Sequence, residues 1–435
     1  MDGRTDRVRV GILGCGNVGA ALVQLVADHG GTIAARAGVR LEVTRVAVHN
    51  AAKERPVALA DGVLTHDADG LVVDPAVDVV VEVMGGMEPA RRLIVTALEV
   101  GKPVVTANKE VMANAGAELL EVAAKAGVDL LYEAAVGGAI PLIRPLRESL
   151  AGDRLRRVMG IVNGTTNFIL TRMAEDGDSF TEALAEAQNL GYAERDPTAD
   201  IEGWDAAAKA AIIASVAFGV QVVAGDVYRE GIAAVTADDI AMAARLGYVV
   251  KLLAVVEKPT GDEVAVRVHP AMVPSDHPLA AVRDSYNAVF VEGAAAGELM
   301  FYGRGAGGRP TASAVLGDLV DAAANLRQRS RATAAAPPPA PARARVVPID
   351  ELSSQYYLTI DVVDRPGVLE KVAGVTARHG VSILKMEQVG LGDEARLVLV
   401  THTASERDVQ ATIADLRHLD VVDRVGTLLR VVGPE

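Results

Sequence analysis

The first 140 residues alternate short runs of β-branched and aliphatic residues with longer segments of helical periodicity. The predicted strands cover residues 8–13, 41–49, 77–84, 103–107 and 129–134. Strands joined by helical crossovers pair in parallel and are covered by helices on both faces. Residues 1–140 are therefore predicted to form a doubly wound α/β domain.

A different pattern follows from residue 141 to 310. Longer helical segments are mixed with alternating strand patterns at 263–268, 288–292 and 298–302, which predicts an α+β second domain. Residues 311–328 have helical periodicity and begin just after Pro310, a common helix start. We expect this helix to return to the first domain.

Residues 329–350 differ in composition from the rest of the chain. They include three consecutive prolines within SRATAAAPPPAPARARVVP and show no core-forming periodicity, which predicts an extended linker. Beyond it, residues 351–435 have the pattern strand, helix, strand, strand, helix, strand. That order predicts a ferredoxin-like βαββαβ domain.

Composition excludes several classes of function. The formal net charge is −14 and only 3% of residues are aromatic, so the clustered cations and stacking rings of nucleic-acid binding proteins are missing. A single cysteine, Cys15, allows neither a disulfide framework nor a cysteine-based zinc site. No secretory signal and no membrane-spanning run are predicted. We expect a cytoplasmic protein without nucleic-acid or membrane partners.

A glycine-rich turn follows the first predicted strand. Gly14, Gly16 and Gly19 form a GxGxxG pattern around Asn17 and Val18, where a helix begins. Glycine allows the tight turn, the approach of a pyrophosphate and close helix packing, and the helix N-terminus favours negative charge. Dinucleotide binding is the favoured interpretation over a purely structural turn. Cys15 is interpreted as a space-filling residue.

The end of the second predicted strand bears on the choice of dinucleotide. NAD enzymes normally carry an acidic residue here to bind the ribose 2′-hydroxyl, but this chain has His49 and Asn50, followed by Lys53 and Arg55. The absence of an acid at the strand end, with two cations nearby, favours a 2′-phosphate. The sequence thus predicts NADP(H), with NAD(H) as the alternative.

Two further segments end predicted strands of the first domain. Thr106 and Lys109 lie at the carboxyl edge of the sheet, where ligands bind, although Lys109 could instead be a solvated lysine at a helix start. The segment from Glu133 to Ile140 contains two glycines. It is interpreted as an interdomain hinge or as a loop that binds a small cation through backbone carbonyls.

An acidic segment in the second domain leads into an apolar helix. Gly191, Glu194 and Asp200 precede Asp205 and Lys209, which are four residues apart and share one helix face. A surface ion pair is one interpretation. Since the helix beyond Lys209 is almost entirely apolar, a desolvated lysine that donates a proton to an alkoxide is the other.

Taken together, these motifs resemble the homoserine dehydrogenase family. The resemblance covers about residues 8–328 and rests on GILGCGNVG, TANK, YEAAVGGAIP, VNGTTNFI, GYAERDPTADIEGWDAAAK and FYGRGAGGRPTASAVLGDL, in that order. It implies NAD(P)-dependent interconversion of L-homoserine and L-aspartate 4-semialdehyde, on the route to threonine and methionine. It also implies that residues 141–310 bind substrate and mediate pairing into a homodimer or homotetramer.

The resemblance assigns roles to individual residues. Lys209 would be the proton donor, with Asp205 as its catalytic partner. Substrate contacts would come from Glu194, Asp200, Asp205 and Lys109. For the cofactor the resemblance adds Asn17, Val18, Lys109, Gly191 and Gly307 to the residues already singled out. The full predicted cofactor set is Gly14, Gly16, Asn17, Val18, Gly19, Lys53, Arg55, Thr106, Lys109, Gly191, Glu194 and Gly307. The end of the second strand is where the chain departs from the family, which often has an Arg-Asp pair in place of His49 and Asn50. A sodium-type cation would be held by Glu133, Val136, Gly138 and Ile140.

The C-terminal domain resembles an ACT domain. Its segment from Asp364 to Leu369 lies between a predicted strand and helix, like the ligand loop of that family. The resemblance implies an amino-acid effector, with L-threonine as the expected inhibitor; an inert or dimerising domain is the alternative.

Two other functions remain open at the level of sequence. Another amino-acid dehydrogenase on the same scaffold would leave the TANK and GYAERDPTAD segments without a role. A nonenzymatic amino-acid sensor would have no need to keep both the glycine loop and the Asp205 and Lys209 pair.

Overall fold

The computed structural model describes residues 7–50, 52–259, 261, 263–329, 342–390 and 394–433. The chain divides into two compact units, each built from three stretches. Unit 1 comprises Met1–Leu155, Ala208–Asp226 and Asn287–Ala344; unit 2 comprises Arg156–Ala207, Val227–Tyr286 and Arg345–Glu435.

The N-terminal part of unit 1 has the predicted alternation of strands and helices. Its elements are β1 (Arg7–Leu13), α1 (Asn17–Ala37), β2 (Arg40–Ala47), β3 (Leu64–Thr65), α2 (Ala68–Val73), β4 (Val79–Glu82), α3 (Ala90–Glu99), β5 (Val104–Thr106), α4 (Lys109–Ala126) and β6 (Leu130–Leu131). The strands pair in parallel in the order β3-β2-β1-β4-β5-β6. This is the strand order of doubly wound dinucleotide-binding domains, so the predicted fold class is confirmed.

The middle of the chain supplies the next elements. They are β7 (Leu155–Ile161), α5 (Gly164–Glu175), α6 (Phe180–Asn189), α7 (Thr198–Ile201), α8 (Trp204–Phe218), β8 (Tyr228–Arg229), α9 (Ala237–Arg245), β9 (Tyr248–Glu257), β10 (Glu263–Pro274), β11 (Tyr286–Gly293), β12 (Gly297–Arg304) and α10 (Gly308–Arg329). The three strands predicted from alternation fall within β10, β11 and β12. The α+β character of this region is therefore confirmed.

Helix α10 contributes to the core of unit 1. Ala312, Val315 and Leu319 are fully buried and share one apolar cluster with Ile12 of β1 and Leu22 of α1. Small and branched side chains at three- and four-residue spacing give this helix an apolar face that packs closely.

Helix α1 is long and apolar enough to cross a bilayer by length and composition. The prediction of no membrane-spanning run concerned a continuous apolar stretch, whereas this criterion averages hydropathy along the helix, and a core helix passes it too. The reason lies in the fold: α1 follows the first strand, and Leu22, Leu25 and Val26 are buried in the core of unit 1, which requires a long apolar face.

The C-terminal elements form the predicted ferredoxin-like domain. They are β13 (Arg345–Val346), β14 (Ser353–Val363), α11 (Val368–Arg378), β15 (Ile383–Gly390), β16 (Glu394–Thr401), β17 (Ala404–Ser405), α12 (Glu406–Leu416) and β18 (Val422–Val431). Strands β18, β14, β16 and β15 form an antiparallel sheet in that order. Of the predicted linker, residues 330–341 lie outside the described residues, whereas β13 pairs with β10.

One sheet runs through unit 2. Strand β9 pairs with β7 and β10, and β10 pairs in parallel with β18 of the C-terminal domain through Ala271 with Arg430 and Met272 with Val431. The Val432 amide donates to the Met272 carbonyl at 2.8 Å. The C-terminal domain is thus hydrogen-bonded to the middle of the chain through main-chain atoms.

Candidate active site and effector site

The glycine loop between β1 and α1 is tightly turned and open on one side. Gly14 has a φ of +99°, and a side chain at Gly19 would collide with the Gly14 carbonyl. A Cβ at Gly16 would meet nothing within 4 Å, so this side of the loop is open. Helix α1 begins at Asn17 with no side-chain cap and no acidic residue in its first turn. Its N-terminal amides therefore suit a phosphate.

Arg55 lies beside the glycine loop. Its Nη1 donates to the Lys53 carbonyl at 2.7 Å, and its Nη2 donates to the carbonyl of Asn50. Burial raises the pKa of the Cys15 thiol, and the neighbouring Arg55 guanidinium partly opposes that shift. A cation is thus held between the end of β2 and the glycine loop, while Lys53 is exposed.

Glu82, at the end of β4, organises the carboxyl edge of the sheet. Its fully buried carboxylate accepts hydrogen bonds from the Met84 amide at 2.8 Å and from the Thr106 hydroxyl at 2.6 Å. The Thr106 hydroxyl oxygen accepts from the Asn108 amide at 3.0 Å. Since Asn108 caps α4, this network fixes the loop that presents Lys109. Sequence reasoning missed Glu82, although an acid ending an apolar strand was a usable signal.

The loop from Glu133 to Arg144 is held by buried charges. The Glu133 carboxylate accepts from the Ile143 amide at 2.8 Å and the Arg144 amide at 2.9 Å. Asp318 of α10 accepts from the Glu133 amide at 2.8 Å and from the Arg144 guanidinium at 2.6 Å. Burial raises the pKa of Asp318 to about 6, although Arg144 opposes this.

The same loop offers backbone oxygens. Gly137 and Gly138 have positive φ angles of 74° and 56°, and the Ile140 amide donates to the Gly137 carbonyl at 2.9 Å. Within the described residues, no hydrogen bond reaches the carbonyls of Val136 and Gly138. No group of three or more His, Cys, Asp or Glu suited to a metal occurs in that part of the chain. A cation here would thus be held by carbonyls.

In unit 2, Asn163 brings two of the predicted carboxylates together. Its Nδ2 donates to Asp200 Oδ1 at 2.6 Å and to Asp205 Oδ2 at 2.9 Å. Its Oδ1 accepts from the Thr166 amide at 2.9 Å and so caps α5. Asp205 is buried and Asp200 is half-buried. No role was predicted for Asn163, although it belongs to the VNGTTNFI motif.

The remaining predicted residues have varied exposure. Lys209 lies one helical turn beyond Asp205 on α8 and is half-buried. Gly191, Glu194, Lys109 and Gly307 are exposed. The predicted site residues are divided between the two units. Unit 1 contains the glycine loop, the loop from Glu133 to Ile140, Thr106, Lys109 and Lys209. Unit 2 contains Gly191, Glu194, Asp200 and Asp205.

The C-terminal domain contains a cavity of about 450 Å³ at its predicted ligand loop. It is lined by Asp364–Leu369 together with Val362, Val363, Gln388 and Leu397. Gly367 has a φ of +92° and precedes α11, and Gln388 donates to the Asp364 carboxylate at 3.3 Å. The volume suits a small ligand.

Comparison with known proteins identifies all three regions. Three family profiles match the chain. The profile described as the NAD binding domain of homoserine dehydrogenase matches residues 14–133, the homoserine dehydrogenase profile matches residues 141–320, and the ACT domain profile matches residues 356–420. The chain is 49% identical to the homoserine dehydrogenase of Mycobacterium tuberculosis, covering 100% of this chain and 99% of that protein.

Solved structures agree with these matches. A homoserine dehydrogenase from Thiobacillus denitrificans is 40% identical with a TM-score of 0.92, covering 98% of this chain and 99% of that one. A hyperthermophilic archaeal homoserine dehydrogenase in complex with NADPH is 29% identical with a TM-score of 0.61, covering 76% of this chain and 100% of that one.

Proposed function

Because the chain belongs to the homoserine dehydrogenase family, we propose that it catalyses the reversible reduction of L-aspartate 4-semialdehyde to L-homoserine with a nicotinamide dinucleotide. The proposal rests on the pair of carboxylates, Asp200 and Asp205, that Asn163 bridges, with Asp205 one helical turn before Lys209 on α8. Carboxylates suit the substrate's ammonium group, and a lysine suits its carbonyl oxygen.

Each residue has a proposed task in the reduction. A nicotinamide dinucleotide held at the glycine loop of Gly14, Gly16 and Gly19 would supply the hydride that reduces the aldehyde carbon. Lys209 Nζ donates a proton to the aldehyde oxygen as negative charge develops there, and Asp205 orients that lysine from the same helix. Asp200 and Glu194 bind the amino-acid end of the substrate. Lys109, presented by the capped start of α4, contributes positive charge beside cofactor and substrate.

NADP(H) is the proposed cofactor, with NAD(H) as the weaker alternative. The support is the position of Arg55 between the end of β2 and the glycine loop, with Lys53 nearby. A guanidinium can bind a 2′-phosphate in bidentate fashion, whereas it offers little to a ribose 2′-hydroxyl. The archaeal relative's complex with NADPH agrees with this choice.

A monovalent cation such as sodium is proposed at the loop from Glu133 to Ile140. The support is the pair of glycines with positive φ and the carbonyls of Val136 and Gly138 that accept no hydrogen bond from described residues. Carbonyl oxygens are suitable ligands for hard cations. A cation there would stabilise the loop without taking part in proton transfer.

The ACT domain is proposed to bind L-threonine and inhibit the enzyme. The cavity at Asp364–Leu369 is of suitable size and has backbone amides at the start of α11. A homodimer or homotetramer is also proposed: β15 ends the described sheet and exposes Leu384 and Met386, by 41% and 49%.

The cytoplasm is the proposed location of the enzyme, because a biosynthetic reductase would draw on cytoplasmic NADPH.

The decisive experiment is an assay of the purified chain with L-aspartate 4-semialdehyde and either NADPH or NADH, repeated with L-threonine. We expect the enzyme to turn over, faster with NADPH than with NADH at the same low concentration, and we expect L-threonine but not D-threonine to suppress the turnover. Turnover without suppression would remove the effector and keep the reaction. Absence of turnover with both cofactors would overturn the proposed reaction.

A further inference from the structure

A buried ionic cluster joins the ACT domain to the substrate domain within unit 2. Arg430 of β18 is 2% exposed. Its guanidinium donates to the two oxygens of Glu230 at 2.9 and 3.0 Å and to the two oxygens of Glu406 at 2.8 and 2.9 Å. Tyr228 donates to Glu230, and Tyr356 donates to Glu406 at 3.0 Å. We call these five residues the Arg430 cluster.

The two carboxylates of the cluster come from different domains. Glu406 begins α12 of the ACT domain, whereas Glu230 directly follows β8 in the substrate domain. Arg430 and Glu406 are buried, whereas the Glu230 side chain is 32% exposed. Removing a partner of Arg430 leaves its buried charge less compensated, so the arginine resists replacement. Apolar residues could hold two domains together equally well. Because two nitrogens of the Arg430 guanidinium donate to the two oxygens of Glu230, this contact fixes the position of Glu230 relative to β18.

Glu230 in turn lies next to the segment that carries Asp200 and Asp205, the carboxylates proposed to bind the substrate. A Cβ at Gly231 would collide with the Ile201 carbonyl oxygen, and the Ile232 amide donates to that same oxygen at 2.9 Å. The Arg229 guanidinium lies 3.0 Å from the centre of the Trp204 ring. Ile201 follows Asp200 directly, and Trp204 precedes Asp205, so residues 229–232 pack on the turn between the two carboxylates.

We propose that Arg430 is a positioning residue for the substrate site, which holds Asp200 and Asp205 in place through Glu230, and that the ACT domain acts on catalysis by displacing Arg430. The second half rests on the proposed threonine effector. The ligand loop directly follows β14, and β14 pairs with β18 from Gln355 to Val362, with two register irregularities after Leu358 and with Tyr356 opposite Arg430. A shift of β14 on ligand binding would reach Arg430 through this pairing.

The test compares two isosteric substitutions on the same arginine. Glu230→Gln weakens the link to the substrate domain, and Glu406→Gln weakens only the link inside the ACT domain. Glu230→Gln should raise the KM for homoserine by about ten- to hundredfold, with kcat little changed, and should reduce threonine inhibition while threonine still binds by calorimetry. Glu230→Asp should restore part of the affinity. Glu406→Gln should leave the KM for homoserine near that of the native enzyme.

A readout that needs no turnover accompanies these assays. Glu230→Gln should increase amide hydrogen exchange in residues 198–206, and Glu406→Gln should not. If Glu230→Gln fails to fold, Gly231→Ala displaces the same turn, with Gly225→Ala, whose Cβ would meet nothing within 4 Å, as its control. Equal effects of the two glutamine variants on KM and exchange, or no effect of either, would overturn the positioning role.

The two halves of the proposal can fail separately. If threonine does not inhibit the native enzyme, threonine is not the effector. The positioning role of Arg430 would still hold if the KM for homoserine rises in Glu230→Gln but not in Glu406→Gln. Full threonine inhibition of a Glu230→Gln enzyme with raised KM would refute transmission through Arg430.

Discussion

Asn163 donates a side-chain hydrogen bond to Asp205, with 2.9 Å between Nδ2 and Oδ2. The same nitrogen reaches Asp200 Oδ1 at 2.6 Å. Two nearby carboxylates repel each other. By donating to both, the amide holds the pair in alignment, as the proposed contact with a substrate ammonium group requires.

Asn163→Asp should therefore weaken substrate binding. The new residue still caps α5, because aspartate is a good N-cap, but it replaces the donor with a third carboxylate. We expect the KM for homoserine to rise about tenfold or more from lost alignment. Asn163→Ser, which also caps a helix without adding charge, should have a smaller effect. Steady-state kinetics and thermal melting of both variants check this, and equal KM values in the three proteins would contradict it.

Lys209→Met should remove the proposed proton donor without disturbing the proposed cofactor site. Loss of a general acid typically lowers turnover by about 10²- to 10⁴-fold, while NADPH binding, followed by its fluorescence, should stay near native. Lys125→Met is the control, since Lys125 is an exposed lysine paired with Glu121 one turn away. Turnover within a few-fold of native in Lys209→Met would assign proton donation to another group.

Sequence patterns predicted the two regular domains well, for a physical reason. Parallel strands buried on both faces and helices with one apolar face leave periodic signals, and the main C-terminal elements follow the predicted order of strand, helix, strand, strand, helix, strand. Asn163 and Glu82 were missed because their roles depend on partners 37 to 42 and 24 residues away. Periodicity carries no information about such polar networks. Likewise, no pattern in β18 marks Arg430 as a junction between domains.

Arg55→Gln should change the cofactor preference. A lost charge-assisted contact to a 2′-phosphate corresponds to about a ten- to hundredfold fall in kcat/KM for NADPH, while the value for NADH should stay near native. Arg36→Gln is the control, because Arg36 is exposed in the last turn of α1, far along the helix from the glycine loop. A parallel loss with both cofactors would indicate a structural role for Arg55.

Glu82→Gln should loosen the carboxyl edge of the sheet in unit 1. A carboxylate accepts from Met84, Gly85 and Thr106, but an amide has a single acceptor oxygen, so a buried donor loses its partner. We expect the free energy of unfolding to fall by about 1 to 3 kcal/mol and the KM for NADPH to rise more than that for homoserine. Glu99→Gln, at the exposed end of α3, should change neither quantity.

Lys251 should make stability depend on pH in the alkaline range. It is 2% exposed, and its Nζ donates to Asn167 Oδ1 at 3.0 Å and to the Val282 carbonyl. Burial lowers the pKa of Lys251 from 10.5 to about 8. Between pH 8 and 10.5 the unfolded chain therefore holds a proton that the folded chain has released, so this group adds stability as the pH rises.

The contribution of Lys251 is fully present above pH 10.5 and is lost as the pH falls through 8. Lys251→Met removes the titration, so the stability of the native protein relative to this variant should grow by about 2 to 3 kcal/mol between pH 7 and pH 10. Urea unfolding at the two pH values measures the difference, in which lysines common to both proteins cancel. Lys125→Met should show no such change against the native protein. A constant offset between native and Lys251→Met would mean that Lys251 stays protonated in the folded state throughout this range.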